Sequence, residues 1–323
     1  MNESAHVRAT LDEIRGSNRP QVEKAEALVE LAFDLQKKPR NPQDLYDALA
    51  LYDEAIVQAE ALPLARARAL AGRGAALRRM PGTDTAHLEQ AKEALTDALK
   101  ILAEAGDAEE AAEGEMTLGL VFQALAGAGK APLEKAVQCY HRALRTFRRE
   151  THPREFAVIH NNLATAYLSM KLSPEKDVMR EALAVQSFQE ALKVVSLIDD
   201  PSEYAMLQNN LGNALQATRG NHPYENLQRA IEAYDEALKV RTPYDTPLEY
   251  ANTISNKANA LMNLPDDPNR PDAGNPENLR GAVKLLSEAG QLFEQHGVLD
   301  RAQTVEALRD SLLAEATSTQ EVS

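Results

Sequence analysis

The sequence predicts an all-α protein, an α-solenoid of about six helix-turn-helix repeats that ends in a capping helix. One sixteen-residue stretch occurs three times, starting at Pro153 (PREFAVIHNNLATAYL), Pro201 (PSEYAMLQNNLGNALQ) and Pro247 (PLEYANTISNKANALM). The 323 residues include no Trp and only 5% aromatic residues, and alanine is abundant. This composition favours closely packed helices over a compact β fold.

One spacing marks the second helix of every repeat. Ala is followed four residues later by an aromatic residue or Leu, and three residues after that by a second Ala. These positions share one face of an α-helix, so the small side chains let a neighbouring helix approach closely. The six occurrences are Ala48, Tyr52, Ala55; Ala91, Leu95, Ala98; Ala136, Tyr140, Ala143; Ala184, Phe188, Ala191; Ala230, Tyr234, Ala237; and Ala282, Leu286, Ala289.

A second spacing marks the first helix of the repeats. A small residue recurs there at intervals of 45 to 48 residues, and three of these helices begin with Pro followed two residues later by Glu. Pro is favoured at the first helical position, because the N–H that it lacks would have no partner within the helix there. Glu is favoured nearby, at the positive end of the helix dipole. Asp200 and Thr246 precede two of these prolines and predict capping boxes with Glu203 and Glu249. The small residues are Gly74, Gly119, Ala164, Gly212 and Ala258.

These spacings predict the helices in pairs. They lie at about 20–37 and 43–60, 64–80 and 85–104, 107–127 and 131–149, 153–170 and 177–197, 201–217 and 224–240, and 247–263 and 277–295. The predicted repeats are 20–61, 62–106, 107–152, 153–200, 201–246 and 247–298, which together span 20–298. Residues 1–19 form an N-terminal segment, and the sequence does not decide whether it contains a short helix. A capping helix at 299–316 covers the last repeat, and 317–323 is predicted to be a disordered tail.

These residues resemble the tetratricopeptide repeat (TPR) family, which has Leu-Gly in the first helix and Ala, aromatic, Ala in the second. Leu118-Gly119 and Leu211-Gly212 match directly, and Leu163-Ala164 is a near match. The resemblance covers roughly residues 20–315 and implies a right-handed α-solenoid of TPR-like repeats. The period of 43 to 52 residues exceeds the family's usual period of about 34. In this respect the chain is similar to kinesin light chains and to bacterial arrays found beside caspase-like proteases, although it contains no such protease domain.

Composition also limits the classes of function. The formal charge of −14 and the pI near 5.1 disfavour nucleic acid or an anionic membrane as partner, because phosphate binding needs clustered Lys and Arg. A single cysteine, Cys139, excludes a disulfide framework. The N-terminus lacks the apolar core of a secretory signal, and no apolar run is long enough to span a membrane. The expected location is cytoplasmic.

No arrangement of residues indicates catalysis. Cys139 lies beside Tyr140 and His141, but adjacent residues on a helix diverge by about 100° and do not face one another. The other histidines, including His160 and His222, are scattered and belong to no catalytic motif. The loop at 264–278 carries several acids, but their order does not fit the EF-hand template. We therefore predict no enzyme, no cofactor and no metal site.

The resemblance to TPR proteins implies that the first helices line a concave groove that binds an extended peptide or partner segment. The residues six and three before the small position, and one and four after it, are expected to face this groove. A second set, two residues before the small position, is aligned in three repeats and has two interpretations. These asparagines either grip a peptide backbone or bridge adjacent repeats by hydrogen bonds. The groove-facing amides are Asn161, Asn209, Asn213, Gln216, Asn252 and Asn259, and the aligned asparagines are Asn162, Asn210 and Asn256.

Arginines concentrate toward the N-terminal part of the same groove. Five arginines and no acid lie between residues 66 and 79, and Arg68, Arg78 and Arg79 are assigned to the inward register. Guanidinium groups bind carboxylates in a bidentate manner, so an acidic peptide segment or a C-terminal carboxylate is one predicted ligand. The alternative is a solvated face near a helix C-terminus, where cations are favoured in any case. A second basic stretch at 141–154 has the same simple explanation.

The function predicted from the sequence is a non-catalytic scaffold or adaptor that binds a protein or peptide segment in the concave groove. The alternative is a self-assembling structural or regulatory oligomer, and the sequence leaves the oligomeric state open. A small-ligand sensor and a nucleic-acid binder are less favoured, because an open solenoid rarely supplies a closed pocket and the chain is acidic.

Overall fold

A computed structural model of the chain describes residues 3–82, 85–171, 174–218 and 222–321, without the side chains of 174–175 and 315–321. Every regular element in these ranges is helical: there are fourteen α-helices, one short 3₁₀ helix and no strand. Consecutive helices pack as pairs, so the predicted all-α repeat architecture is confirmed. No helix within the described ranges is long and apolar enough to cross a membrane. Contacts divide the chain into two compact units, 1–166 and 167–323.

Unit 1 contains the first three repeats, preceded by an additional helix. That helix, α1, packs on the first repeat through buried Val7 and Leu11, and Arg15 Nη2 lies 2.6 Å from Glu54 Oε2. The pairs α2 with α3, α4 with α5, and α6 with α7 are in contact, and α4 also contacts α2 and α6. The helices are α1 (Ala5–Gly16), α2 (Gln21–Lys37), α3 (Pro42–Gln58), α4 (Pro63–Arg78), α5 (Ala86–Ala105), α6 (Ala108–Gly127), α7 (Leu133–Ala143) and the start of α8 (Pro153–Ser169).

Unit 2 contains the later repeats. The pairs α10 with α11 and α12 with α13 are in contact, and α14 covers α13 with Ala302, Val305 and Leu312 against Leu286 and Phe293. Helix α14 continues to Glu321, through part of the segment predicted as a tail; 322–323 lie outside the described residues. The helices are α9 (Pro174–Ala191), α10 (Pro201–Ala217), α11 (Pro223–Leu238), α12 (Pro247–Met262), the 3₁₀ helix Pro271–Ala273, α13 (Pro276–Gln295) and α14 (Leu299–Glu321).

The small, large, small stripe forms the interior of every repeat. All eighteen of its residues are at most 1% exposed. The small residue of the first helix is equally necessary, because a Cβ atom on Gly119 would lie 2.5 Å from Cε1 of Tyr140. A Cβ atom on Gly212 would lie 2.5 Å from Cε1 of Tyr234. In these two repeats the two sequence spacings therefore describe one contact, in which a ring on the second helix packs against bare backbone on the first.

Two details of the helix ends were predicted wrongly. Asp200 and Thr246 make no side-chain cap to α10 and α12; Thr246 Oγ1 instead accepts a hydrogen bond from Thr242 N at 3.2 Å. Helices α7 and α9 end at Ala143 and Ala191, about six residues before their predicted ends. After Ala143, the N–H groups of Arg145 and Thr146 bond to carbonyls three residues back, and such bonds tighten the last turn of a helix.

The acidic loop at 264–278 caps the N-terminal end of α13. Asp266 Oδ2 and Oδ1 accept hydrogen bonds from the main-chain N–H groups of Glu277 and Asn278, each at 2.8 Å. These N–H groups belong to the first turn of α13 and have no partner within the helix. Asp267 binds Arg270 at 2.9 Å. The carboxylates of this loop therefore stabilise its own structure, and no group of three or more metal-ligating side chains occurs among the described residues.

Candidate functional site

The first helices of the three repeats in unit 1 line one cavity of about 400 Å³, here called the α2–α4–α6 groove. Each helix contributes residues three or four apart, which lie on one face of a helix. The lining is Glu26, Val29, Glu30, Phe33 and Gln36 on α2, Arg68, Ala71, Gly72 and Ala75 on α4, and Glu110, Glu113, Gly114 and Thr117 on α6, with Tyr52 from α3 beneath.

Small residues on α4 create the room for this groove. Ala71, Gly72 and Ala75 lie in the middle of its lining. A Cβ atom on Gly72 would lie 2.3 Å from Cε1 of Tyr52, so the absence of a side chain there lets the tyrosine ring pack beneath α4. On the α2 side, Phe33 is 44% exposed although it is a large apolar residue. The groove therefore has apolar surface that is open to a ligand.

The charges in the groove are predominantly negative. Four carboxylates line it against one guanidinium, Arg68. That guanidinium is already paired, because Arg68 Nε lies 2.7 Å from Glu110 Oε1 and Arg68 Nη2 lies 3.3 Å from Glu110 Oε2. This hydrogen bonding raises the pKa of Arg68. The two-point contact satisfies both partners. Glu26 also attracts Arg68 at longer range, but none of the other three carboxylates forms an ion pair with a basic side chain of the described residues.

Glu113 is the most perturbed of these carboxylates. Glu113 lies at an exposed position of α6, but the protein atoms around its carboxyl group raise its pKa by desolvation. The negative charges of Glu155 and Glu110 raise its pKa further. Both effects disfavour the ionised form, since neither neighbour is a cation. The groove thus holds a carboxylate that would gain from an incoming positive charge.

Gln36 supplies an unused hydrogen-bond acceptor. The residue lines the groove, is only 7% exposed, and its Oε1 has no hydrogen-bond partner among the residues that the structure describes. A buried carbonyl oxygen without a donor costs free energy, on the order of 1–3 kcal/mol. Its own main-chain carbonyl accepts a hydrogen bond from Arg79 Nη1. The side chain of Gln36 is therefore available to a donor on a ligand.

The three arginines predicted to share one anion site are used separately. Arg68 binds Glu110, and Arg79 binds the carbonyl of Gln36 near the end of α2. Arg78 does not line the groove; its Nε is buried without a hydrogen-bond partner, and burial together with Arg79 lowers its pKa. The structure therefore brings only Arg68 into the groove.

In unit 2, five amide residues form a connected network, here called the amide chain, between α10 and α12. Asn209, at its centre, is only 8% exposed. The bonds run from Asn209 Nδ2 to Asn210 Oδ1 (3.4 Å), Asn256 Nδ2 to Asn209 Oδ1 (3.2 Å), Gln216 Nε2 to the carbonyl of Asn256 (3.1 Å) and Asn259 Nδ2 to Gln216 Oε1 (3.4 Å). These amides join the first helices of two successive repeats.

The other predicted amides also have defined positions. Asn213 Oδ1 accepts a hydrogen bond from Tyr234 OH at 2.8 Å, which joins the two helices of one repeat. Asn252 Oδ1 accepts one from Arg301 on α14. In unit 1, Asn161 Oδ1 is buried without a partner, and the main-chain carbonyl of Asn162 accepts from Thr165 Oγ1 at 2.9 Å.

Cys139 is placed for packing. It is 1% exposed, and burial followed by the charge of Glu115 raises the pKa of its thiol to about 12. Arg142 Nη2 lies 3.1 Å from its Sγ but does not offset this effect. The thiol is therefore protonated at neutral pH, and a protonated thiol is a poor nucleophile.

Comparison with protein-family models found no match, and comparison with curated proteins found none either. Among solved structures, the chain is similar to the apo form of the quorum sensor NprR from B. thuringiensis, at 15% sequence identity and a TM-score of 0.41. The match covers 95% of this chain and 85% of that one. So distant a likeness carries no argument about function. The helical repeat fold follows from the packing of this chain's own helices.

Proposed function

We propose that the chain is a non-catalytic interaction module, an adaptor of TPR type, whose α2–α4–α6 groove binds a peptide or partner segment. The observation that carries the proposal is the groove itself. Three consecutive first helices each turn one face toward a single cavity of about 400 Å³ that exposes Phe33 and contains the unused acceptor of Gln36. Apolar surface with a few polar groups in a cavity is the usual composition of a binding site.

The helices give this groove a fixed shape before any ligand arrives. The faces of α2, α4 and α6 are held by the buried stripes of their partner helices, so the groove does not have to be ordered on binding. Most of the entropic cost of association then falls on the peptide. An extended segment could contact all three helices at once.

Selection from a random 12-residue peptide display library on the full chain tests this proposal. The strongest peptides are then titrated by fluorescence anisotropy against two variants, Phe33→Ala and Leu31→Ala. Both residues lie on α2 and are similarly exposed, at 44% and 40%, but only Phe33 lines the groove. We expect Phe33→Ala to weaken binding about tenfold, as for an aromatic residue central to an interface, and Leu31→Ala to change it by less than twofold.

Equal binding by both variants for every selected peptide would contradict the proposal. Since both substitutions shorten exposed side chains, helical circular dichroism and melting temperature should remain close to those of the native chain. That comparison separates loss of a binding surface from loss of the fold.

The amides of unit 2 remain a second, predicted partner surface within this proposal. Gln216 and Asn259 support it best, because the bond between their side chains is long, 3.4 Å, and a ligand could replace it at small cost. Asn259 is also exposed. Asn209 supports it least, because it is buried and bonded to Asn256. The predicted cytoplasmic location and the alternative of a self-assembling oligomer remain predictions.

A further inference from the structure

We propose that the segment bound by the α2–α4–α6 groove carries a basic side chain, Lys or Arg, next to an apolar one. This inference rests on the proposed function and specifies its ligand. It is opposite in sign to the acidic ligand predicted from the arginines of the sequence.

The first argument is the charge left over in the groove. Glu26, Glu30 and Glu113 line it, and no basic side chain in the described ranges forms an ion pair with any of them. The one cation of the lining, Arg68, is held by both oxygens of Glu110. Charge complementarity therefore favours a cation as ligand.

An anionic ligand would meet two obstacles. A carboxylate that approached Arg68 would have to displace Glu110 from a two-point contact with distances of 2.7 and 3.3 Å. It would also add a negative charge to a groove lined by Glu113, whose ionised form is already disfavoured by burial and by the charges of Glu155 and Glu110. Like charges in a partly desolvated site repel, so this placement is unfavourable.

The second argument is independent of charge. Gln36 lines the same cavity, is more than nine-tenths buried, and has an oxygen without a donor. An ammonium, a guanidinium and a peptide N–H are all donors, whereas a carboxylate is not. A peptide N–H or a basic side chain could therefore satisfy this acceptor, so Gln36 favours a peptide ligand and the carboxylates decide its charge.

The third argument identifies the apolar neighbour. Phe33 exposes its ring in the groove beside Val29 and opposite Ala71. Lys37 Nζ already lies 5.7 Å from the centre of the Phe33 ring, so we assign the ring to the apolar side chain of the ligand and the carboxylates to its basic side chain. A segment with both an apolar and a basic side chain would use the ring and the carboxylates together, which a free metal ion or small polyamine would not.

The test uses the peptides enriched from the random library on the full chain. We expect those that depend on Phe33 to be enriched in Arg or Lys beside apolar residues. In titrations with the strongest of them, Glu26→Gln combined with Glu30→Gln should weaken binding about threefold to tenfold, since exposed ion pairs contribute up to about 1 kcal/mol each.

The matched control is Glu23→Gln combined with Asp34→Asn. These acids also lie on exposed positions of α2 but outside the groove lining, and the control changes the net charge of the chain by the same amount. Its affinity should stay within twofold of that of the native chain. An equal loss in both double variants would show that only the overall charge attracts the peptide, and would overturn the inference.

Three further outcomes are decisive, and they separate failure of this inference from failure of the proposed function. Enriched peptides that depend on Phe33 but are neutral or acidic would overturn this inference and leave the proposed function intact. Stabilisation of the chain by spermidine as strong as that by the peptides would also overturn it, because a polyamine lacks the apolar side chain. If no enriched peptide depends on Phe33, the proposed function fails and this inference fails with it.

Discussion

The side-chain amide of Asn256 donates a hydrogen bond to Oδ1 of Asn209 at 3.2 Å and thereby joins α12 to α10. Asn209 is only 8% exposed, and a buried carboxamide requires partners. Asn256 belongs to the set of asparagines that repeats along the sequence and that could either grip a ligand or bridge repeats. Asn256 bridges two repeats. Its acceptor is Asn209, which lies one residue before the aligned asparagine of the preceding repeat, Asn210.

We therefore expect Asn209→Ala to loosen unit 2 locally. Loss of the acceptor leaves the Asn256 amide without its partner, and the free energy of local opening should fall by about 1–2 kcal/mol. Hydrogen exchange of the α10 and α12 main-chain amides measures this change, and it does not require the whole chain to unfold in one step. Exposed Asn259→Ala is the control and should stay within about 0.5 kcal/mol of the native value. Unchanged protection in Asn209→Ala would show that the bond contributes nothing to stability.

The contact between Gly119 and Tyr140 predicts a cost for the smallest possible substitution. A Cβ atom at Gly119 would lie 2.5 Å from the tyrosine ring, which is fully buried and cannot move away freely. Overpacking of this kind costs about 1–3 kcal/mol, more than the roughly 1 kcal/mol that Ala gains over Gly in a helix. We expect Gly119→Ala to lower the melting temperature by several degrees in thermal denaturation.

Gly127→Ala is the matched control for this experiment. Gly127 ends the same helix, α6, and a Cβ atom there would meet nothing within 4 Å. Its substitution should leave the melting temperature unchanged or raise it slightly. A Gly119→Ala chain as stable as the native one would mean that Tyr140 and its neighbours can shift without cost.

The sequence was sufficient to predict the helix pairs, apart from the ends of α7 and α9, but not the charge of the groove. Ala136, Tyr140 and Gly119 belong to spacings that repeat several times, so their packing could be inferred from periodicity alone. The series of small residues that mark the first helices begins at Gly74 on α4. No such residue was identified on α2, so the face that α2 turns toward the groove could not be predicted. The pairing of Arg68 with Glu110 joins residues 42 positions apart, which no local pattern reveals. A dense run of arginines therefore suggested an anion site that the tertiary structure has largely occupied.

Substitution of Arg68, the partner of Glu110, should change the affinity for a basic peptide and for an acidic peptide in opposite directions. Arg68→Gln removes the only cation of the groove lining and releases Glu110, so a basic peptide should bind about twofold to fivefold more tightly. An acidic peptide would bind less tightly. Arg73→Gln is the control, because Arg73 Nε pairs with Asp53 Oδ1 at 2.6 Å outside the groove lining and the change in net charge is the same. Anisotropy titrations at one salt concentration compare the two variants, and weaker binding by Arg68→Gln would favour the acidic ligand.

Glu113 makes the stability of unit 1 depend on pH in a direction unusual for a carboxylate. Burial, Glu155 on α8 and Glu110 on its own helix raise its pKa above the ordinary value of 4.5, and Tyr52 faces it from α3 without a positive charge. In the pH range between 4.5 and the raised pKa, the folded chain holds this proton more tightly than the unfolded chain does. The contribution to stability is therefore full below pH 4.5 and is lost as the pH rises through the raised pKa.

We accordingly expect Glu113→Gln to raise the melting temperature relative to the native chain more at pH 7 than at pH 4, because the surroundings of Glu113 disfavour its ionised form and the amide carries no charge. Glu23→Gln on α2 is the control, because it removes the same charge from an exposed position outside the groove lining. Differential scanning calorimetry of the three chains across this range measures the difference. A Glu113→Gln chain less stable than the native one at pH 7 would mean that the carboxylate has a cationic partner in solution, and the groove would then not be short of positive charge.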